Sequence, residues 1–222
     1  MRLVELKQGI LSKNDRLAEK LRARFEQQHV MVVNLVSSPG TSKTALLERT
    51  LEELMKQGRK VAALLGDLET ENDAIRLASS GAPVRQITTS GLCHLEASFI
   101  ESRLEGWDLS ELEYLFIENA GNLVCPSSFD LGEQLRVVLL SVTEGEDKPL
   151  KYPPIFSSSQ VAVITKYDLA GPCDFREEEA LANLRSVSPA VKILHTSART
   201  GEGMEEWLEL LESRRESWLS SL

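Results

Sequence analysis

Little in this sequence suggests a chain held by cross-links or anchored in lipid. Its three cysteines, Cys93, Cys125 and Cys173, are an odd and scattered set, which argues against a disulfide framework and for reduced thiols. The longest apolar runs, Val30–Val36 and Val137–Val142, fall far short of the ~20 residues a membrane-spanning helix requires. Met1–Lys13 mixes charges with isolated aliphatics. It has neither the apolar core of a secretory signal nor an Arg/Ser-rich transit composition, so a cytoplasmic address and no membrane partner are expected. Positive charge is also short: 25 Lys and Arg stand against 34 Asp and Glu, a net −9, which argues against nucleic acid as a main partner. There is no internal repeat and no disorder-like composition. A chain of 222 residues with 42% hydrophobic content suits a single α/β domain, 1–222, with one core.

What is present is an alternation of helical and extended patterns. Between Gln8 and Gln28, Leu11, Leu17, Leu21 and Phe25 recur at helical spacing and predict an amphipathic helix (about 8–28) packed on the main core. Strands are expected at Val30–Val36, Val61–Leu65, Val84–Ile87, Tyr114–Ile117, Val137–Val142, Val161–Ile164 and Val191–Leu194. Helices are expected at Thr44–Gln57, Asn72–Ser79, Leu95–Leu104 and Met204–Leu219. This order predicts a mostly parallel sheet with helices on both faces. The proline-rich Asp147–Pro154 reads as a mobile connection.

Ser37-Ser-Pro-Gly-Thr-Ser-Lys-Thr44 lies where a strand ends and a helix begins. Such a junction aims backbone N–H groups and the positive end of a helix dipole at one point, a natural phosphate site. In the P-loop pattern the Lys reaches the β/γ-phosphates and the following hydroxyl holds Mg²⁺, roles that Lys43 and Thr44 match. Gly40, Thr41, Ser42 and Ala45 complete the expected phosphate contacts. Ser37 and Ser42 occupy the two glycine positions of the pattern. Ser42 is the serious departure, because a side chain at φ > 0 beside the phosphates costs ~1–2 kcal/mol or obstructs the ligand. The ordinary alternative is a Ser/Gly/Pro-rich turn with a solvated lysine.

Further elements follow in the chain order a nucleotide site needs. Asp67 stands just past a strand end, where it could hold Mg²⁺. Glu118 ends Tyr114-Leu-Phe-Ile-Glu118 and is a second metal-side carboxylate, followed by Asn119-Ala-Gly121, read as a small flexible turn for sensing a γ-phosphate. Taken singly, each acid is more often a solvated strand-end charge. Thr165-Lys-Tyr-Asp168 resembles the guanine-reading Asn-Lys-x-Asp signature of GTPases; a carboxylate accepts two hydrogen bonds from guanine while the Lys166 stem covers the ring. Thr165 replaces Asn, as in the signal-recognition-particle branch. Ser197-Ala198-Arg199 resembles the Ser-Ala-Lys element that backs the base.

Cys93-His94 and Cys125 each follow one of these loops. Thiolate and imidazole suit Ni²⁺ or Zn²⁺, but the set is one ligand short of a closed tetrahedron, which a second copy could supply across a two-fold axis. The bland alternative is two small buried cysteines and a hydrogen-bonded histidine. Cys173, His29 and His195 are read as structural or incidental.

Together these residues resemble the hydrogenase maturation GTPases of the HypB family, also called hydrogenase/urease nickel incorporation proteins, nearly end to end. The most specific stretches are Ser37–Thr44, Gly66–Asp73, Cys93–Leu95, Ile117–Pro126, Ser141–Pro149 and Gly201–Trp207. The resemblance implies a SIMIBI-class P-loop fold, binding of GTP and GDP with Mg²⁺, and a catalytic set matching Lys43, Asp67, Glu118 and Gly121. It further implies a GTP-promoted homodimer with Ni²⁺ or Zn²⁺ held at its interface by Cys93, His94 and Cys125. Nickel would pass to [NiFe]-hydrogenase large-subunit precursors together with a HypA-type partner. With three His and no Cys before position 93, neither an N-terminal cysteine motif nor a His-rich storage tract is expected. Two readings compete with an active GTPase metallochaperone: a dimeric metal-binding scaffold whose hydrolysis is impaired by Ser42, and a urease accessory GTPase. The Cys93-His94 adjacency favours the hydrogenase branch.

Overall fold

The computed structural model describes residues 2–67, 76–89 and 91–222. Among them, seven strands form one sheet: β1 (Met31–Ser37), β2 (Val61–Asp67), β3 (Val84–Thr88), β4 (Tyr114–Gly121), β5 (Leu135–Ser141), β6 (Val161–Thr165) and β7 (Lys192–His195). Their order is β3-β2-β4-β1-β5-β6-β7, and every neighbouring pair is parallel. All seven residues of β1 are buried, which fits a largely apolar and β-branched run, broken only by Asn34 and Ser37, rather than an alternation.

Helices α1 (Arg2–Gln27), α2 (Lys43–Lys56), α3 (Ala97–Arg103), α4 (Lys148–Lys151), α5 (Pro153–Ser157), α6 (Glu177–Val187) and α7 (Met204–Leu219) cover both faces. On one face, Leu46, Leu47, Leu51 and Leu54 of α2 and Met204, Trp207 and Leu211 of α7 pack on Val33, Leu35 and Phe116. On the other, Ala18, Leu21 and Phe25 of α1 and Ile100 of α3 pack on Val32, Leu115 and Ile117. Ile155, Phe156 and Leu184 extend that second layer over β5 and β6. Trp207 fastens α7 to α2 through Nε1, which donates to Thr50 Oγ1 at 2.9 Å. Gly203 permits the approach: its φ is +69° and a Cβ there would lie 1.8 Å from the His195 carbonyl oxygen, a position no other residue fills.

The chain leaves β1 toward β2 on one side and later places β5 on the other. Ligands of open parallel sheets bind at the carboxyl ends of strands where the order reverses in this way. The phosphate-loop segment stands there.

Most expected elements are present; α6 has no counterpart among the expected helices, α1 begins at Arg2 rather than near Gln8, and four other stretches differ. The helix predicted at Asn72–Ser79 lies partly outside the described residues, and only 76–78 is seen as helical. Asn119-Ala-Gly121 is not a turn but the end of β4, with Asn119 and Ala120 buried, because internal partners satisfy the asparagine. Asp147–Pro154 is not a loose connection. Its prolines sit in the first turns of α4 and α5, where the missing N–H costs nothing, and Pro149 is buried. Leu95 precedes α3 rather than opening it, because its backbone N–H is engaged by Asn119.

Candidate functional site

Two adjoining cavities line the carboxyl edge of the sheet. The first, about 490 Å³, is walled by the loop 38–44 with Gly66, Glu118 and Gly121. Gly40 and Ser42 both have left-handed backbones, φ +78° and +66°, which turns successive N–H groups inward as an anion-binding concavity. Ser42 therefore holds the strained conformation expected of a glycine position, and α2 starts directly after it.

Lys43 and Thr44 converge on one acid. Thr44 Oγ1 donates to Glu118 Oε1 at 2.7 Å, and Lys43 Nζ lies 3.4 Å from the same oxygen. Both charged side chains are about nine-tenths buried. A carboxylate so placed is stable because a cation and a hydroxyl replace its lost water. Asp67 ends β2 at the same edge, two residues beyond Leu65, whose register partner is Glu118. The stretch 68–73 of the matching motif lies outside the described residues.

The second cavity, about 360 Å³, meets the first at Ser42 and Ala45 and is lined by Thr165, Lys166, Asp168, Ser197, Ala198 and Arg199. Thr165, buried, donates through Oγ1 to the Thr41 carbonyl oxygen at 2.7 Å. Lys166, at φ +56°, stretches its Nζ to the Gly40 carbonyl oxygen at 2.7 Å. Asp168 Oδ1 accepts from Ser197 Oγ at 2.6 Å, and Oδ2 accepts from Arg199 Nη2 at 2.6 Å. The Ser197 hydrogen bond, and then Arg199, hold the Asp168 carboxyl below its ordinary pKa, so it stays an acceptor. The two loops are thus bound to each other before any ligand arrives.

Across the sheet from Glu118, the sulfurs of Cys93 and Cys125 and a ring nitrogen of His94 lie within 4.8 Å of one another. Donors gathered this closely, two thiols and an imidazole, are of the kind that one thiophilic ion such as Ni²⁺ or Zn²⁺ takes. The two sulfurs are 2.8 Å apart and His94 Nδ1 is 3.9 Å from Cys93 Sγ. His94 Nε2, buried and without a hydrogen bond, lies 3.5 Å from Glu96 Oε1, and the ring stacks on Phe129 at 4.0 Å. All three donors come from one chain, so a second copy is needed only for a fourth ligand. Cys173 is exposed, and His195 pairs with Glu177 at 3.0 Å beside Tyr167.

The comparisons with known proteins show the family and the fold. Residues 31–195 match the family model described as CobW/HypB/UreG, nucleotide-binding domain. The hydrogenase maturation factor HypB of Azotobacter vinelandii is 49% identical over 96% of this chain and 70% of its own length. This chain belongs to the HypB family. The HypB fold is found in the crystal structure of HypB from Archaeoglobus fulgidus, at TM-score 0.85 and 39% identity over 92% of this chain and 99% of that one. Crystalline HypB from Helicobacter pylori in complex with nickel superimposes at TM-score 0.86, also 39% identical, over 92% of this chain and 96% of that one. The family fold is that of a P-loop nucleotide-binding domain, as the sheet order and the loop 37–44 display.

Several residues at these sites were not legible as motif members. Arg76, paired with Glu48 at 2.5 Å, lines both cavities. Lys148 at the start of α4 reaches Ser38 Oγ at 3.3 Å and Glu144 at 3.4 Å. A lysine opening a proline-rich segment was the available signal. Phe129 carries no signal of its own, and Asn119, read in the sequence as part of a sensing turn, is brought to the cluster only by the sheet order.

Proposed function

We propose that this chain is a GTP-hydrolysing metallochaperone that delivers nickel during [NiFe]-hydrogenase maturation. The observation that carries the nucleotide half is the closure of the two cavities into one site. Thr165 and Lys166 bond to the backbone of the loop that wraps the phosphates, and Asp168 is kept ionised at the far end. That geometry accepts a guanine with a phosphate chain. Lys43 and the amides of the loop 40–45 bind the β/γ-phosphates, and Thr44, Asp67 and Glu118 would hold Mg²⁺. When bound, Mg²⁺ neutralises charge on the phosphate oxygens. Among the described residues no side chain stands as a general base, so catalysis comes from positioning and electrostatics, with the Glu118–Gly121 strand end orienting water.

The metal half rests on Cys93, His94 and Cys125, with Ni²⁺ as cargo and Zn²⁺ as its chemical competitor. A homodimer, a HypA-type nickel chaperone and a hydrogenase large-subunit precursor are the corresponding partners. Purified protein with Mg²⁺ and GTP should release phosphate slowly, and Lys43→Ala should abolish it. Phosphate release unchanged in that variant rejects the assignment. A second reading, a metal-binding dimeric scaffold with impaired hydrolysis, is supported by the left-handed backbone of Ser42.

A further inference from the structure

Successive residues of a strand point to opposite faces of its sheet. Glu118 faces α2, where Thr44 and Lys43 meet it. Asn119 faces the other layer, is 1% exposed, and engages the loop that carries Cys93 and His94. Its Oδ1 accepts the Leu95 backbone N–H at 3.2 Å, and its Nδ2 donates to Asn34 Oδ1 at 3.4 Å.

Leu95 is gripped a second time. Its fully buried side chain lies over Gly66 so closely that a Cβ at Gly66 would come within 2.8 Å of it. Gly66 immediately precedes Asp67, and Asn119 immediately follows Glu118. The neighbour of His94 is therefore held by the chain neighbours of Glu118 and Asp67.

The polar chain then runs on to the opposite flank of His94. Asn34, on the strand that feeds the phosphate loop, donates to Glu133 Oε1 at 3.0 Å. Glu133 pairs with Arg136 at 2.6 Å, Arg136 Nη2 donates to the Phe129 carbonyl oxygen at 2.8 Å, and Phe129 stacks on His94. Buried networks of this kind are costly to leave half satisfied, so displacement of one member must be followed by the others or break a bond.

We propose that Asn119 is a positioning residue that conveys the state of the nucleotide cavity to the Cys93–His94–Cys125 cluster through Leu95. The inference rests on the nucleotide and metal sites assigned above. A merely structural asparagine would, on removal, weaken the cluster equally in every nucleotide state. A conveying asparagine sets the ratio between states.

The test is a Ni²⁺ titration of the full chain with Mg²⁺ and either GDP or a non-hydrolysable GTP analogue. Wild-type affinities for Ni²⁺ in the two states should differ by about 5- to 150-fold, the usual range for coupled sites. In Asn119→Ala the ratio should fall to about one, while GDP still binds. A ratio retained in Asn119→Ala overturns the role of Asn119 and leaves the proposed function standing. No ratio in the wild type overturns the coupling itself, and the inference with it. Should Asn119→Ala not fold, amide hydrogen exchange at Leu95 in the wild type decides: a different rate in the two nucleotide states supports the inference, and an identical one ends it.

Discussion

Thr165 Oγ1 donates to the Thr41 carbonyl oxygen at 2.7 Å, so one hydroxyl joins the loop that meets the base to the loop that meets the phosphates. The bond is buried on both sides. Substituting Thr165→Val keeps the shape and leaves the carbonyl without that donor, at a cost of about 1–3 kcal/mol. GDP affinity, measured calorimetrically, should fall about 5- to 150-fold. Asparagine at the same position can donate to the same oxygen and should restore binding.

The carboxylate of Asp168 should control base choice. Asp168→Ala removes charged acceptors worth about 1.5–3 kcal/mol each, so competition assays should show loss of the preference for guanine over adenine nucleotides. Its pKa gives a pH test as well. Because the folded pKa is depressed by Ser197 and Arg199, the ionised carboxylate stabilises the fold above its unfolded pKa of about 3.9. That contribution is lost as pH falls through the lower folded value. In Ser197→Ala the acid limb of GDP binding should move to higher pH; an unmoved limb contradicts the assigned cause.

Ser42 should be a point of stored strain. A non-glycine residue in the left-handed region costs roughly 1–2 kcal/mol, and φ is +66° here. Ser42→Gly should therefore raise the midpoint of thermal unfolding. A large accompanying rise in GTP turnover would favour the scaffold reading, whereas unchanged turnover would favour the active enzyme.

Cys93→Ala and Cys125→Ala should each remove stoichiometric Ni²⁺ or Zn²⁺ without loss of the far-ultraviolet circular dichroism of the fold. Cys173→Ala, at an exposed position, should keep the metal. Equal metal content in all three variants refutes the ligand set.

Trp207 should dominate the stability of the α2–α7 layer. It is fully buried and bonded to Thr50, and its truncation to alanine should cost about 3–5 kcal/mol in chemical unfolding.

What could be read in the sequence was what is local. The all-buried β1 shows as an apolar run, Lys43 and Thr44 follow it at fixed spacing, and Thr165 to Asp168 follow β6 in the same way, because a parallel sheet puts its ligand residues just beyond each strand. What could not be read depends on register and neighbour order. β4 lies between β1 and β2, and only that insertion brings Asn119 to Asn34 and Glu118 to Thr44. Asn119-Ala-Gly121 looked like a turn because asparagine and glycine are poor strand formers; buried partners override that preference. The ring of Phe129 meets His94 only because the chain folds back before β5.

The cysteine–histidine donors all belong to one polypeptide, and the residues next to the two thiols, Leu92 and Val124, are 40% and 61% exposed. Such a chelate is approachable from outside. Under the proposed function, an incoming recipient would add one donor of its own before any existing bond is broken, and cargo would then move by associative exchange rather than through a hydrated free ion.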